Sequence, residues 1–240
     1  MPADGLVGGE GSGGGVKGAK RTIVFDFDYT LVDSSRGVVD CIAFALRELD
    51  LPPVSDDLAR QTIGLSLTDT LIRLAGSQRA HLGGEFARLF VQRADEVMVA
   101  KTAILAGVPE TIGWLKAHGF TLGIVSTKYR RRIEVTLRRE GLLQSFDAIV
   151  GGEDVSRHKP HPESLLLALS RLSSLRRETL YVGDSVTDAE TARRAGVPFA
   201  AVLSGVTPRE AFEPYAGIEI LGWPSDLPGR LGGITVEDSQ

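Results

Sequence analysis

Short apolar runs separated by amphipathic stretches organise the chain from residue 21 onward. The first run, Thr22-Ile23-Val24-Phe25, is β-branched and apolar, the pattern of a strand buried on both faces. Runs at Phe120 to Val125, Ala148 to Val150, Thr179 to Val182 and Phe199 to Leu203 predict four more strands. Helix-like segments lie beside them at Pro109 to His118, Arg130 to Glu140, Pro162 to Leu172 and Asp188 to Ala195. Short apolar strands alternating with helices predict an α/β fold, a Rossmann-like parallel sheet with helices on both faces.

Between Ser34 and about Ala103 the period changes. Apolar residues recur at helical spacing through Val38-Ala45-Leu49, Leu67-Leu71-Leu74 and Phe86-Leu89-Phe90, with no convincing strand among them. This predicts an inserted helical domain over 35–103, beside a core assembled from 20–34 and 104–240. Pro52-Pro53 separates its first helix from its second, and Gly83-Gly84 predicts another turn. Residues 1–19 are so rich in glycine that ordering them is costly, and they read as a flexible tail.

Composition narrows the function classes. The chain has 240 residues, 42% of them hydrophobic and 24% charged, enough for a buried core without disulfides. A net charge of -4 lacks the basic footprint of a nucleic-acid partner. The basic cluster of Arg130, Arg131, Arg132, Arg138 and Arg139 falls in a predicted helix and reads as its solvated face. The one cysteine, Cys41, lies among Val38, Val39 and Ile42 and reads as a small buried hydrophobe. No apolar run approaches the ~20 residues of a membrane span. The N-terminus also lacks the apolar stretch of a signal peptide. The expectation is a cytoplasmic protein with no membrane or nucleic-acid partner; oligomeric state is left open.

The candidate chemistry gathers at strand ends. Asp26 and Asp28 follow the first strand, Ser126-Thr127 the second, and Asp184 and Asp188 follow Tyr181-Val182-Gly183. Lys159-Pro160 lies in the loop beyond Gly151-Gly152. In an open parallel sheet the carboxyl ends form one edge, and ligands bind in the crevice there. Carboxylates brought together repel unless something positive lies between them. An all-oxygen set with room for water suits Mg2+. A lysine and a hydroxyl facing the same point complete a phosphate site.

Taken together, these motifs resemble the haloacid dehalogenase superfamily of phosphotransferases across nearly the whole chain after the tail. Asp-x-Asp-x-Thr-Leu appears within IVFDFDYTLVDS from Ile23 to Ser34, the serine motif as LGIVSTK with Ser126, the lysine as HKPHPE with Lys159, and the acidic motif as YVGDSVTD with Asp184 and Asp188. The helical insert looks like the family's cap, and the layout is most similar to the phosphoglycolate phosphatase group. The resemblance implies a Mg2+-dependent phosphomonoester hydrolase acting on a small phosphorylated metabolite of the phosphoglycolate type. It implies Asp26 as nucleophile and Asp28 as acid and base. Mg2+ would then be held by Asp26, the backbone carbonyl of Asp28 and Asp184, with Asp188 direct or through water. Lys159 and Ser126 would bind the phosphoryl oxygens. The alternatives are β-phosphoglucomutase-like transfer on one sugar, or a catalytically silent binding protein of this fold.

Two positions depart from the family pattern. Tyr29 stands where glycine is usual: it carries strain if φ is positive there, or else the backbone is ordinary and the phenol reaches toward the cap or substrate. Thr127 stands where related phosphatases often have asparagine. The insert is expected to set specificity, with Gly64-Leu65-Ser66 approaching the substrate. Arg36 reads as an exposed helix-start residue, Trp114 and Trp223 as packing residues. His118, His158 and His161 have no metal-site spacing.

Overall fold

The structure is a computed structural model and describes residues 22–232. The glycine-rich stretch 1–19 lies outside the described residues. The chain starts with β1 (Thr22–Phe25), turns through β2 (Val32–Asp33), and runs through helices α1 (Ser35–Glu48), α2 (Asp56–Arg60), α3 (Leu67–Ala75) and α4 (Gly83–Val97). It returns through β3 (Ala103–Ile104), α5 (Val108–Ala117), β4 (Thr121–Val125), α6 (Arg130–Arg139) and β5 (Ala148–Val150). The remainder is α7 (Glu163–Leu172), β6 (Thr179–Gly183), α8 (Val186–Ala195), β7 (Phe199–Val202), β8 (Glu219–Leu221) and α9 (Leu227–Gly232).

Six strands form one sheet in the order β5-β4-β1-β6-β7-β8, and every pair in it is parallel. Alternation along β1 divides its side chains between two layers. Ile23 and Phe25 join Ile112, Leu115, Ile133, Leu137 and Leu227 from α5, α6 and α9. Val24 joins Leu165, Leu169, Ala189 and Ala192 from α7 and α8. This is the α/β sheet covered on both faces that the apolar runs predict.

The chain moves from β1 outward to β4 and β5, then crosses back to place β6 on the other side of β1. That reversal opens a crevice at the carboxyl ends of β1 and β6. Asp26 is pinned there by its own N–H, which donates to Val182 O at 2.8 Å.

The four helices between β2 and β3 have a hydrophobic cluster of their own, built from Ile42, Leu46, Leu71, Phe86 and Phe90. The segment departs and returns side by side, because β2 and β3 pair antiparallel, Val32 with Ile104 and Asp33 with Ala103. Gly83-Gly84 does not form the expected turn. Gly83 begins α4 at φ -55, its surface against the Thr68 side chain, after a 3-10 segment over Ser77–Leu82.

Of the α6 arginines, Arg130, Arg131, Arg138 and Arg139 are exposed as expected, and Arg132 is the second correction. Arg132 is buried and donates to the Asp95 carboxylate at 2.5 and 2.9 Å and to Val91 O at 3.0 Å. Arg131 reaches the same carboxylate at 2.6 Å, and Arg139 donates to Val99 O and Thr102 O. Helical periodicity marked the apolar stripe correctly but could not anticipate Asp95 and the carbonyls ending α4, which supply the acceptors.

Candidate active site

The turn after β1 is tight. Leu31 N–H and Val32 N–H both donate to Phe27 O, and Tyr29 N–H donates to Val32 O at 2.6 Å. The turn puts Tyr29 at φ 61, the left-handed region the sequence flagged, at a cost of about 1–2 kcal/mol for a residue with a Cβ. Its carbonyl accepts a hydrogen bond from Ser204 Oγ at 2.5 Å, and its ring is buried. Burial pushes the Tyr29 phenol up to about 12, with Asp33 adding to the effect.

Asp26 lies at the centre of the crevice, 5% exposed, with Lys159 Nζ 2.6 Å from its Oδ1. The same ammonium reaches Asp188 Oδ1 at 2.6 Å and Tyr181 OH at 3.2 Å. Tyr181 is fully buried on β6 and donates its hydroxyl proton to Asp188 Oδ1 at 2.7 Å. The other oxygen of Asp188 accepts from Ser185 Oγ at 2.5 Å and from Ser185 N. Ser185 caps α8, so Ser185-x-x-Asp188 is a capping box that aims Asp188 back into the site.

Asp184 follows β6 and is equally buried, with Thr30 Oγ1 3.5 Å from its Oδ1. The loop after β7 covers it so closely that a Cβ on Gly205 would stand 1.9 Å from Asp184 Oδ2. Only glycine fits there. Carboxylate oxygens of Asp26, Asp184 and Asp188 lie within 4.8 Å of one another.

Burial dominates the electrostatics. It pushes Asp26 up to about 7; Asp188 and Asp28 add to the rise, and Lys159 opposes it without prevailing. Burial likewise holds Asp184 well above the usual carboxylate range, helped by Asp188 and Asp26. For Lys159 burial works downward, but the attraction of Asp188 and Asp26 outweighs it, and the ammonium stays well above its usual value. Three carboxylates facing one ammonium leave two negative charges to be balanced when all are ionised. The all-oxygen donor set and that excess charge fit a hard divalent cation.

The Asp28 carboxylate is held apart from the other three. Lys128 Nζ lies 2.9 Å from its Oδ1, and Ser34 Oγ donates to the same atom at 2.5 Å. Ser126 is buried at the end of β4, its Oγ accepting from Lys128 N at 3.1 Å. Neither Ser126 nor Thr127 caps α6; Tyr129 holds that position, and Arg130 N–H donates to Glu153. Gly152 lets this loop close, since a Cβ there would stand 2.3 Å from Thr127 O.

Asp26, Lys159, Asp184 and Asp188 therefore converge on one point, with Asp28 and Ser126 at neighbouring strand ends. Sequence reasoning assigned no role to Lys128, Ser34, Tyr181 or Ser185. The capping box was readable as a signal for Ser185; the others meet only through the sheet order. Arg36 is exposed, Cys41 is fully buried, and His118 stacks on Trp114 with ring centroids 3.8 Å apart.

Residues 23–202 match the family model described as haloacid dehalogenase-like hydrolase. The phosphoglycolate phosphatase of Salmonella typhimurium is 32% identical over 212 residues, covering 80% of this chain and 84% of that protein. The phosphoglycolate phosphatase of Yersinia pseudotuberculosis is 30% identical over 226 residues, covering 92% and 97%. Among solved structures, a haloacid dehalogenase-like hydrolase from Bacteroides fragilis superposes with a TM-score of 0.83 at 41% identity, covering 87% of this chain and 99% of that one.

Proposed function

The chain belongs to the haloacid dehalogenase-like hydrolases, and from that premise we propose that it is a Mg2+-dependent phosphomonoester hydrolase working through an aspartyl-phosphate on Asp26. Its substrate class is a small phosphorylated metabolite, with phosphoglycolate, for which the relatives are named, as the reference member. The observation that carries this reading is the buried trio of Asp26, Asp184 and Asp188 around the Lys159 ammonium.

Asp26 and Asp184 would hold Mg2+, with Asp188 behind them, since both Asp188 oxygens already accept hydrogen bonds. When bound, the ion neutralises charge on the transferring phosphoryl group. Ionised Asp26 attacks phosphorus in line, and the ester oxygen departs with a proton from Asp28. Water then attacks the aspartyl-phosphate and gives its proton to Asp28, releasing phosphate and restoring Asp26. Asp28 borders the cavity under the helical insert, whereas Asp26 does not, which supports this division of labour. Lys159 steadies the nucleophile and the phosphoryl oxygens, and the Ser126 hydroxyl donates to them. Residues 35–103 act as the cap that covers the leaving group.

The direct test is phosphate release from a panel of phosphorylated metabolites, each with Mg2+ and with EDTA. Release that requires Mg2+ is expected; release unaffected by EDTA contradicts the reading.

Metal binding and protonation are linked. A carboxylate whose folded pKa is raised stabilises the fold fully below its unfolded pKa, and that contribution is lost as pH rises through the folded value. For Asp26 that value is about 7. The metal-free protein is therefore expected to lose melting temperature as pH rises from about 4 to about 7 and to level off above, and Mg2+ to restore it most at pH 8. Calorimetric titration should show Mg2+ affinity rising over the same interval with proton release. An affinity independent of pH contradicts the assignment.

Tyr181→Phe removes one buried hydroxyl and keeps the ring. A hydrogen bond to a charged group contributes roughly 1.5–3 kcal/mol. The expected result is about a tenfold fall in kcat at saturating Mg2+, with an unchanged circular dichroism spectrum. A wild-type kcat would mean that the hydroxyl does not position Lys159 and Asp188.

A further inference from the structure

The helical insert leaves a cavity of about 290 Å3 beside Asp28, the carboxylate of the site that lines it. That volume is near the lower end for small-molecule sites, roughly 300 Å3. On the mechanism above, the leaving group protonated by Asp28 lies in this space. From the insert, α3 contributes Leu67, Thr68 and Thr70 to the wall.

Thr70 is the unusual member. It is 3% exposed, beside Leu71 on the buried face of a helix whose stripe is otherwise apolar. A buried hydroxyl left without a hydrogen bond is costly. Helical threonines commonly avoid that cost by donating to the carbonyl four residues back. Thr111, Thr136 and Thr191 do so, to Gly107 O, Arg132 O and Thr187 O. For Thr70 that carbonyl is Ser66 O, which accepts its backbone N–H at 2.8 Å. The Thr70 hydroxyl has no hydrogen-bond partner among the described residues. It is not sealed off either, because the one unpartnered side-chain oxygen shut from all access among those residues is Ser164 Oγ. The opening left to Thr70 Oγ1 is the cavity that the residue lines.

Other buried polar groups of the wall are engaged from within the protein. Thr62 Oγ1 donates to Ala59 O, and Arg132 is paired with Asp95. Lys128 is paired with Asp28, a hold that loosens once Asp28 carries the proton it gives to the leaving group. The wall therefore takes a carboxylate oxygen as well as a hydroxyl. Resting on the phosphomonoesterase reading above, we infer that Thr70 is a specificity-determining residue whose hydroxyl bonds an oxygen on the carbon skeleton of the leaving group. The esters it selects carry such an oxygen, and alkyl phosphates of the same length are disfavoured.

The test is kcat/KM with Mg2+ for two matched pairs: phosphoglycolate with ethyl phosphate, and glycerol 1-phosphate with propyl phosphate. The oxygenated member of at least one pair should exceed its alkyl partner about tenfold or more. Which pair shows this tells whether the bound oxygen is a carboxylate or a hydroxyl. Thr70→Val keeps the shape and removes the hydroxyl. It should cut the favoured ester about tenfold and its alkyl partner less than twofold, while Thr70→Ser keeps most of the preference. The melting temperature of Thr70→Val should be unchanged or higher, since an unbonded buried hydroxyl is gone. Ratios within both pairs that Thr70→Val leaves unchanged overturn the inference. So does an equal fall of both members together with the melting temperature, which would make Thr70 a structural residue. No release from any of the four esters, or release that survives Asp26→Asn, removes instead the phosphomonoesterase reading on which it stands.

Discussion

Asp26→Asn is expected to reduce turnover by about 10^4 or more while making the metal-free protein more stable at pH 8. The first effect follows from losing the attacking oxygen: an amide neither forms an acyl phosphate nor balances the Lys159 charge. The second has the opposite sign to that of most buried substitutions. Asparagine has the shape of aspartate without the charge, and burial already pushes Asp26 up to about 7. At pH 8 the wild-type carboxylate is ionised against its surroundings, and the amide avoids that cost. At pH 5.5 the folded wild-type group holds its proton and only its ionisation in the unfolded chain still opposes folding, so the gain in melting temperature should be clearly smaller than at pH 8. Lys159 keeps Asp188 at 2.6 Å, so the ammonium is not abandoned. Lower stability of this variant at both pH values would indicate lost packing and contradict the electrostatic account.

Lys159→Met should be the most damaging change to the fold at the site. Its ammonium is 3% exposed and is the cation that Asp26 and Asp188 share. Removing one partner of a buried ion pair costs roughly 3–5 kcal/mol, because the remaining charge is left desolvated. Two carboxylates lose their partner here, so urea unfolding at pH 8 should show a loss of at least about 3 kcal/mol. The loss should shrink at pH 5.5, where Asp26, already pushed up to about 7 by burial, takes up a proton instead. Activity should fall by about 10^3 even where the protein remains folded, as expected when a charge on the transition state goes unbalanced. A pH-independent loss of stability would place the lysine's contribution in packing rather than charge.

The sheet was legible in the sequence because each of its first five strands is a short, nearly unbroken apolar run. β8 escaped notice: it has three residues, and Glu219 with partly exposed Ile220 breaks the apolar pattern at a sheet edge. β2 and β3 are two residues each, too short for any period, although they make the paired entry to the helical insert. The candidate site was legible for one physical reason: a parallel sheet brings its strand ends together, so motifs far apart in sequence share a crevice. Asp26, Lys159, Asp184 and Asp188 meet in that way. The partners of Asp28 and Asp188 were not legible. Lys128 and Ser34 come from opposite sides of the insert, and Tyr181 points inward from a strand whose sequence reads only as apolar filling. Arg132 on α6 escaped the sequence reading for the same reason, since a charged residue on a polar helix face is buried only when another element brings it a carboxylate. Tyr29 is the reverse case. One residue raised strain as one of two readings, and the left-handed turn at φ 61 decides for it.

The claim that Asp26 carries the phosphoryl group is tested most directly by trapping. An acyl phosphate is reduced by borohydride to an alcohol, which turns an aspartate into homoserine. The protein should be mixed with substrate and Mg2+, quenched into borohydride during turnover, digested and read by mass spectrometry. The account predicts homoserine at position 26, dependent on both substrate and Mg2+. Homoserine at another aspartate, or none while phosphate is being released, would contradict it.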